Sequence, residues 1–192
     1  MKQVARIAFV FAFALAAFGA CQVASAGWIH AKAILAQHLI ASAWKTARDG
    51  GPARRPWPWA DMRPIARLAV PARHVELYVL DSATPRALAF GPAHVGGTAT
   101  PGMPGNSVLV AHRDTHFSFL RELAPGEWIE VEGALGRKTR YRVTETTVVD
   151  QSDARVLEAG DETRLTLITC YPFDAVQPGT RQRYVVVAER AV

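Results

Sequence analysis

The chain of 192 residues contains only two cysteines, Cys21 and Cys170. Cys21 lies inside an N-terminal apolar segment, which argues against a disulfide between them and against a disulfide-stapled scaffold. No internal repeat is visible. No basic run interleaved with aromatics occurs, although the net charge is +5 and the pI is about 9.6. Nucleic acid is therefore not an expected partner. Charged residues make up 20% of the chain and apolar ones 49%, a balance that excludes general disorder and supports one compact domain plus an appendage. Arg48, Arg54, Arg55, Arg63, Arg67 and Arg73 concentrate charge after the N-terminal region. They read as a solvated linker, with anionic lipid head groups as the sharper alternative.

Lys2 and Arg6 precede an apolar run over residues 7–20 that continues weakly to residue 29. A charged start followed by such a run is a secretory or anchoring signal. Ala24-Ser25-Ala26 offers a cleavage site, and Phe18-Gly19-Ala20-Cys21 is a poor lipidation box. The reading favoured here is an uncleaved signal anchor, with residues 7–26 just long enough to span a bilayer. The N-terminal positive charges then leave the remaining chain outside the cytoplasm. Residues 29–48 keep helical periodicity, and Asp49-Gly50-Gly51-Pro52 stops it. Arg54-Arg55-Pro56-Trp57-Pro58-Trp59 forms a stiff linker whose two tryptophans are expected to dock on the folded domain.

From about residue 63 the signals are mainly β. Candidate strands are 66–70, 75–80, 107–112, 128–131, 140–149, 164–170 and 183–189, with short helices at 86–90 and 117–123. The Gly- and Pro-rich residues 91–105 read as irregular. Seven or eight short strands at this spacing indicate a closed barrel or a sandwich.

Thr166-Leu167-Ile168-Thr169-Cys170 is an apolar run that ends in an isolated cysteine. Val108-Leu109-Val110-Ala111-His112 is a similar run that ends in a histidine, and Arg183 heads the last strand thirteen residues after the cysteine. Each alone has a bland explanation: a small core residue, a surface histidine, a cross-strand charge. Together they suggest acyl transfer, with a thiolate nucleophile, an imidazole that moves protons and a guanidinium that binds the substrate carbonyl or its oxyanion. Asp114 and Asp174 are candidates for orienting the histidine.

Thr166–Cys170 resembles the TLxTC signature of sortases, the membrane-anchored cysteine transpeptidases. Cys170-Tyr171-Pro172-Phe173 and Arg183-Tyr184-Val185-Val186 resemble their class D-like branch. Trp57-Pro58-Trp59-Ala60-Asp61 and His112-Arg113-Asp114-Thr115-His116-Phe117 are most similar to the Gram-negative group, and the likeness covers residues 57–189. The resemblance implies a mainly β fold, a closed eight-stranded barrel with short helices, preceded by a membrane-anchor helix. It implies cleavage of a C-terminal LPxTG-like sorting signal on a target protein, a thioacyl-enzyme, and transfer to an amine of unknown identity. By position Cys170 is the nucleophile, His112 the acid and base, and Arg183 the stabiliser, with Arg181 as a rival. Thr169, Ile168 and Val110 would line the sorting-signal groove. No acidic cluster matches the calcium site of some sortases, so neither metal nor cofactor is expected. The organisation read from this is 1–28 signal anchor, 29–56 helix and linker, and 57–192 catalytic barrel, on the periplasmic side of the inner membrane.

Three other readings stand beside it. His112 and His116 have the spacing of a helical zinc pair but lack the glutamate of HExxH. A cysteine peptidase would share the thioester and release the acyl group to water. A membrane-anchored β module that only binds would need no thiol at all.

Overall fold

The computed structural model describes residues 2–160, 162–177 and 179–191. The side chains of residues 2, 4, 5, 7, 8, 10 and 135 lie outside the description, including the Lys2 ammonium counted above. Residues 1–38 and 39–192 form two separate compact units.

A helix, α1 (Lys2–Arg48), opens the chain. Phe11–Arg48 is long and apolar enough to cross a membrane. Phe9, Phe11, Phe13, Leu15, Phe18 and Val23 are all exposed. The Lys32 ammonium sits 4.9 Å from the Trp28 ring centroid. At the other end, Lys45 and Arg48 suit the partial negative charge of a helix C-terminus. Gly50 turns the chain with φ +86°, and the Gly51 amide donates to Thr46 O at 2.9 Å.

Eight strands follow: β1 (Pro64–Val70), β2 (Val75–Leu80), β3 (Ala93–His94), β4 (Asn106–Val110), β5 (Trp128–Gly133), β6 (Lys138–Asp150), β7 (Arg164–Tyr171) and β8 (Gln182–Arg190). They close in the order β1-β2-β3-β4-β7-β8-β6-β5 into a barrel, which settles the choice between barrel and sandwich. The β2–β3 and β4–β7 pairs are parallel and the rest antiparallel.

Strand patterning explains the layers. In β1, Ala66, Leu68 and Val70 are buried while the intervening residues are half-exposed, the alternation of a strand with one wet face. Those side chains fill the barrel with Leu109, Ile129, Val131, Tyr141, Leu165, Leu167 and Val186. Strands β4 and β7 are different, because they are buried on both faces. Val108, Ile168 and Val185 form a second cluster on the outer face, joined by Val110, Val149, Val156 and Val187. Double burial is why apolar residues follow one another in Val108-Leu109-Val110 and Leu167-Ile168, although Arg164-Leu165-Thr166-Leu167 at the start of β7 still alternate. The cover over this outer cluster comes from the β6–β7 connection, whose short 3-10 helix (Ala154–Leu157) carries Val156.

Three expectations need correction. Residues 91–105 are not wholly irregular: β3 pairs Ala93 with Leu80 and with Val110, bridging β2 to β4. A two-residue strand carries no periodicity to read, and it is held by burial of Ala93 and by the His94 ring against Thr98 and the Ala99 carbonyl. The fourth strand stops at Val110, so His112 lies in the following loop. Of the two tryptophans, Trp57 packs edge-on against Phe90 at 5.3 Å, whereas Trp59 is 79% exposed.

Candidate active site

The site is built by strand register. β4 and β7 run in parallel with Asn106 opposite Arg164 and Val110 opposite Ile168. The pairing persists one residue further: the Ala111 amide donates to Ile168 O at 3.3 Å, and the Thr169 hydroxyl donates to Ala111 O at 2.8 Å. One more step brings the chain to His112 on one side and Cys170 on the other. Across the next pair, Cys170 and Arg183 are direct partners. Three neighbouring strands thus deliver His112, Cys170 and Arg183 to one end of the barrel.

Pleating decides which face each residue uses. Thr166, Ile168 and Cys170 alternate with Leu165 and Leu167, which are barrel core, so Cys170 shares the outer face with Ile168. Val185 and Val187 put Arg183 on the same face of β8. Ile168 and Val110 lie on the floor of the outer apolar stripe. Thr169 belongs to the opposite face, 2% exposed, where its hydroxyl ties β7 to Ala111. Cys170 is a free, half-buried thiol and His112 is exposed.

The Arg183 guanidinium is held on three sides. Nη1 donates to Thr180 O at 2.5 Å and to Gln182 O at 2.9 Å, and Nη2 donates to Gln151 Oε1 at 3.0 Å. Together with Ile168 and the β6–β7 connection it lines a recess beside the thiol's strand. Arg181 sits before β8, 75% exposed, paired with Asp150 at 3.3 Å. Asp150 also accepts from the Ser152 hydroxyl and amide, and these bonds with Arg181 hold its carboxyl down at about 2. Of the two arginines, only Arg183 lies in register with the cysteine.

Asp114 accepts from Arg113 Nε at 3.3 Å, and Asp174 is exposed on the loop after β7. Between His112 and Phe117 the chain closes on itself, the Phe117 amide donating to His112 O at 3.0 Å. His116 is held in this turn beside Thr115 Oγ1 at 3.3 Å. Burial first, then the charge of His112, pushes His116 below its ordinary value. Among the described residues no group of three or more His, Cys, Asp or Glu side chains gathers that could hold a metal ion, so the two histidines have no third ligand.

Two features escape a reading of the sequence. Beneath the thiol, Tyr171 stacks on Tyr184 with centroids 6.1 Å apart, and Phe173 meets Tyr184 edge-on at 5.2 Å. Phe173 and Tyr184 pack against the barrel core, closing that end with rings. The other feature is Arg113, 6% exposed, whose guanidinium reaches the carbonyls of Pro172 and Ala175 at 2.7 Å each.

A barrel of this topology with a cysteine at the end of its seventh strand defines a class of protein, and the wider comparisons agree. Residues 68–191 match the sortase domain, and the chain belongs to the sortase family. Sortase D of Bacillus subtilis (strain 168) is 31% identical over 124 residues, 64% of this chain and 62% of that protein's length. Among solved structures, a Clostridium perfringens sortase D5 transpeptidase shares 27% identity with a TM-score of 0.59, covering 67% of this chain and 79% of its own. Sortase C-1 from Actinomyces oris shares 28% identity with a TM-score of 0.61, over 80% of this chain and 98% of its own.

Proposed function

We propose that this chain is a cysteine transpeptidase that cleaves a C-terminal LPxTG-like sorting signal and transfers the acyl group to an amine. The observation that carries the reading is the register of three strand ends: Cys170 faces Arg183 across β7 and β8, and β4 runs beside β7 up to the residue before His112. In this reading the Cys170 thiolate attacks the scissile carbonyl, and a C–S bond forms as the carbonyl oxygen takes up negative charge. Among the described residues, three of the five Arg183 N–H donors are held by the protein, which leaves Nε and one Nη2 hydrogen for that oxygen. Collapse breaks the C–N bond, and the leaving amine takes its proton from His112. An incoming amine then gives a proton back to His112, attacks the thioester and expels the thiolate. Val110 and Ile168 form the floor that receives the apolar part of the signal, and Thr169 braces that floor from behind.

The same reading makes residues 1–28 a signal anchor, 29–56 a helix and linker, and 57–192 the catalytic domain. A stretch whose Phe9, Phe11, Phe13, Leu15, Phe18 and Val23 are exposed is suited to lipid, and a tryptophan with a lysine over its ring suits the membrane interface. The charge at Arg6, with none of opposite sign nearby, favours a barrel on the periplasmic side of an inner membrane. The motifs around Trp57 and His112 support a Gram-negative setting and a sorting-signal-bearing target protein there.

The test is the full chain in detergent, an LPxTG-type fluorogenic peptide and triglycine as acceptor. Wild type is expected to give the triglycine adduct and, without triglycine, a thioacyl-Cys170 species visible by mass spectrometry. Cys170→Ala is expected to give neither while keeping its unfolding temperature. Turnover by Cys170→Ala would overturn the reading. Release to water alone, whatever the amine, would make the protein a peptidase.

A further inference from the structure

We infer that Arg113 is a positioning residue for this chemistry: one buried guanidinium fixes the histidine-bearing loop against the chain that leaves the nucleophile. The inference rests on the transpeptidase reading. Its basis is the geometry beyond the last shared bond of β4 and β7. Up to Ala111 the two strands hold each other, by Ala111 N to Ile168 O and by Thr169 Oγ1 to Ala111 O. Past that point the chains diverge, one into the turn that starts at His112 and the other into the β7–β8 loop. Arg113 spans the gap. Its Nη1 donates to Pro172 O at 2.7 Å, and its Nη2 donates to Ala175 O at 2.7 Å and Gln177 O at 3.5 Å. Arg121 adds a longer bond to Phe173 O at 3.4 Å. Arg113 is the residue after His112, and Pro172 lies two residues after Cys170.

Energetics argue that this arrangement serves position more than general stability. Burying a guanidinium costs much of its hydration, and an ion pair offsets that cost only with good geometry. Among the described residues the carboxylate paired with it is Asp114, 70% exposed and bonded at 3.3 Å, a weak partner. The short bonds go to main-chain carbonyls, and a planar fork with several fixed donors is what holding three carbonyls at once requires. Val176, between the two residues bound by Nη2, is 98% exposed, so the same clamp holds an apolar side chain out at the loop's apex.

The test uses the full chain carrying Cys21→Ser, which leaves Cys170 as the remaining thiol. Alkylation of Cys170 by iodoacetamide is followed across pH in the parent, His112→Ala, Arg113→Gln and Arg113→Lys, with peptide cleavage and thermal unfolding alongside. Arg113→Gln is expected to move the pH midpoint of alkylation in the same direction as His112→Ala and to lower kcat about 100-fold, the scale of a small misplacement of reacting groups, with KM changed far less. Arg113→Lys, which keeps the charge but not the fork, is expected to recover part of the midpoint and of kcat. A purely structural role would lower the unfolding temperature and leave the midpoint in place. If His112→Ala moves the midpoint and neither Arg113 variant does, the positioning role is wrong and the transpeptidase reading stands. If His112→Ala moves nothing, that reading fails and the positioning role fails with it.

Discussion

The Asn106 carboxamide accepts a 2.7 Å hydrogen bond from the Thr166 hydroxyl, and both side chains are almost fully buried. They lie diagonally across the parallel pair, since Asn106 is opposite Arg164 and Val108 is opposite Thr166. The same carboxamide donates through Nδ2 to Val156 O and Glu158 O at 3.1 Å each. One buried side chain therefore ties the floor of the outer apolar stripe to the connection that covers it.

Asn106→Ala is expected to destabilise the fold and to free that connection selectively. The substitution strands the Thr166 hydroxyl and the Val156 carbonyl, while the Glu158 carbonyl keeps the Arg164 guanidinium at 2.8 Å, and each stranded group costs about 1–3 kcal/mol when it stays dry. Water entering beneath the 3-10 helix relieves part of this by lifting the cover. Hydrogen exchange should then accelerate at residues 152–160 well before it does in β7. Equal acceleration in both would mean that Asn106 supports the barrel as a whole.

Arg183 is expected to act through its fork and not through charge alone. Arg183→Ala should lower kcat by about 10²–10³, the usual cost of losing an oxyanion donor. Arg183→Lys should recover little, since an ammonium cannot hold Thr180 O, Gln182 O and Gln151 Oε1 and still present donors above Cys170. Arg181→Ala, which loses only the pair with Asp150, should leave kcat near wild type. A larger loss from Arg181→Ala than from Arg183→Ala would exchange the two roles.

His116 gives the site region a pH dependence whose sign is set by burial. Its folded value lies below the ordinary 6.5, so the fold favours the neutral ring. The unfolded chain then binds the proton first as pH falls. The contribution to stability is complete above 6.5 and is lost as pH drops through that value toward the folded one. The unfolding temperature of wild type should fall more steeply below that pH than that of His116→Gln. Parallel curves would show that His116 titrates as a solvent-exposed histidine.

Much of this was legible in advance for identifiable reasons. The β4 and β7 runs were conspicuous because burial on both faces puts apolar residues side by side in Val108-Leu109-Val110 and Leu167-Ile168. Their ends marked His112 and Cys170 for the same reason. What stayed hidden depends on partners distant in sequence. Arg113 reads as one more arginine until the carbonyls of Pro172 and Ala175 are beside it. Thr169 reads as a groove residue until pleating turns it to the inner face. Trp59 reads like Trp57, yet only Trp57 finds a ring to pack on. The β3 pairing carries no local pattern at all, because two residues between Gly-rich turns are too few to show one.

Pleating also separates stability from recognition along a single pair of strands. Leu167 is fully buried in the barrel, whereas Val110, on the neighbouring strand, is half-exposed on the outer stripe. Leu167→Ala removes packed atoms from a closed interior and should cost about 2–5 kcal/mol, read as a drop in denaturation midpoint, with KM for the sorting peptide unchanged in the fraction that stays folded. Val110→Ala removes two methyl groups that are only partly covered by protein, so its stability cost should be near 1 kcal/mol. If the sorting signal completes that cover, the same truncation should raise KM roughly tenfold, the worth of a methylene-sized gap in an apolar pocket. A KM unmoved by Val110→Ala and by the equivalent change at Ile168 would mean that the signal binds elsewhere on the barrel.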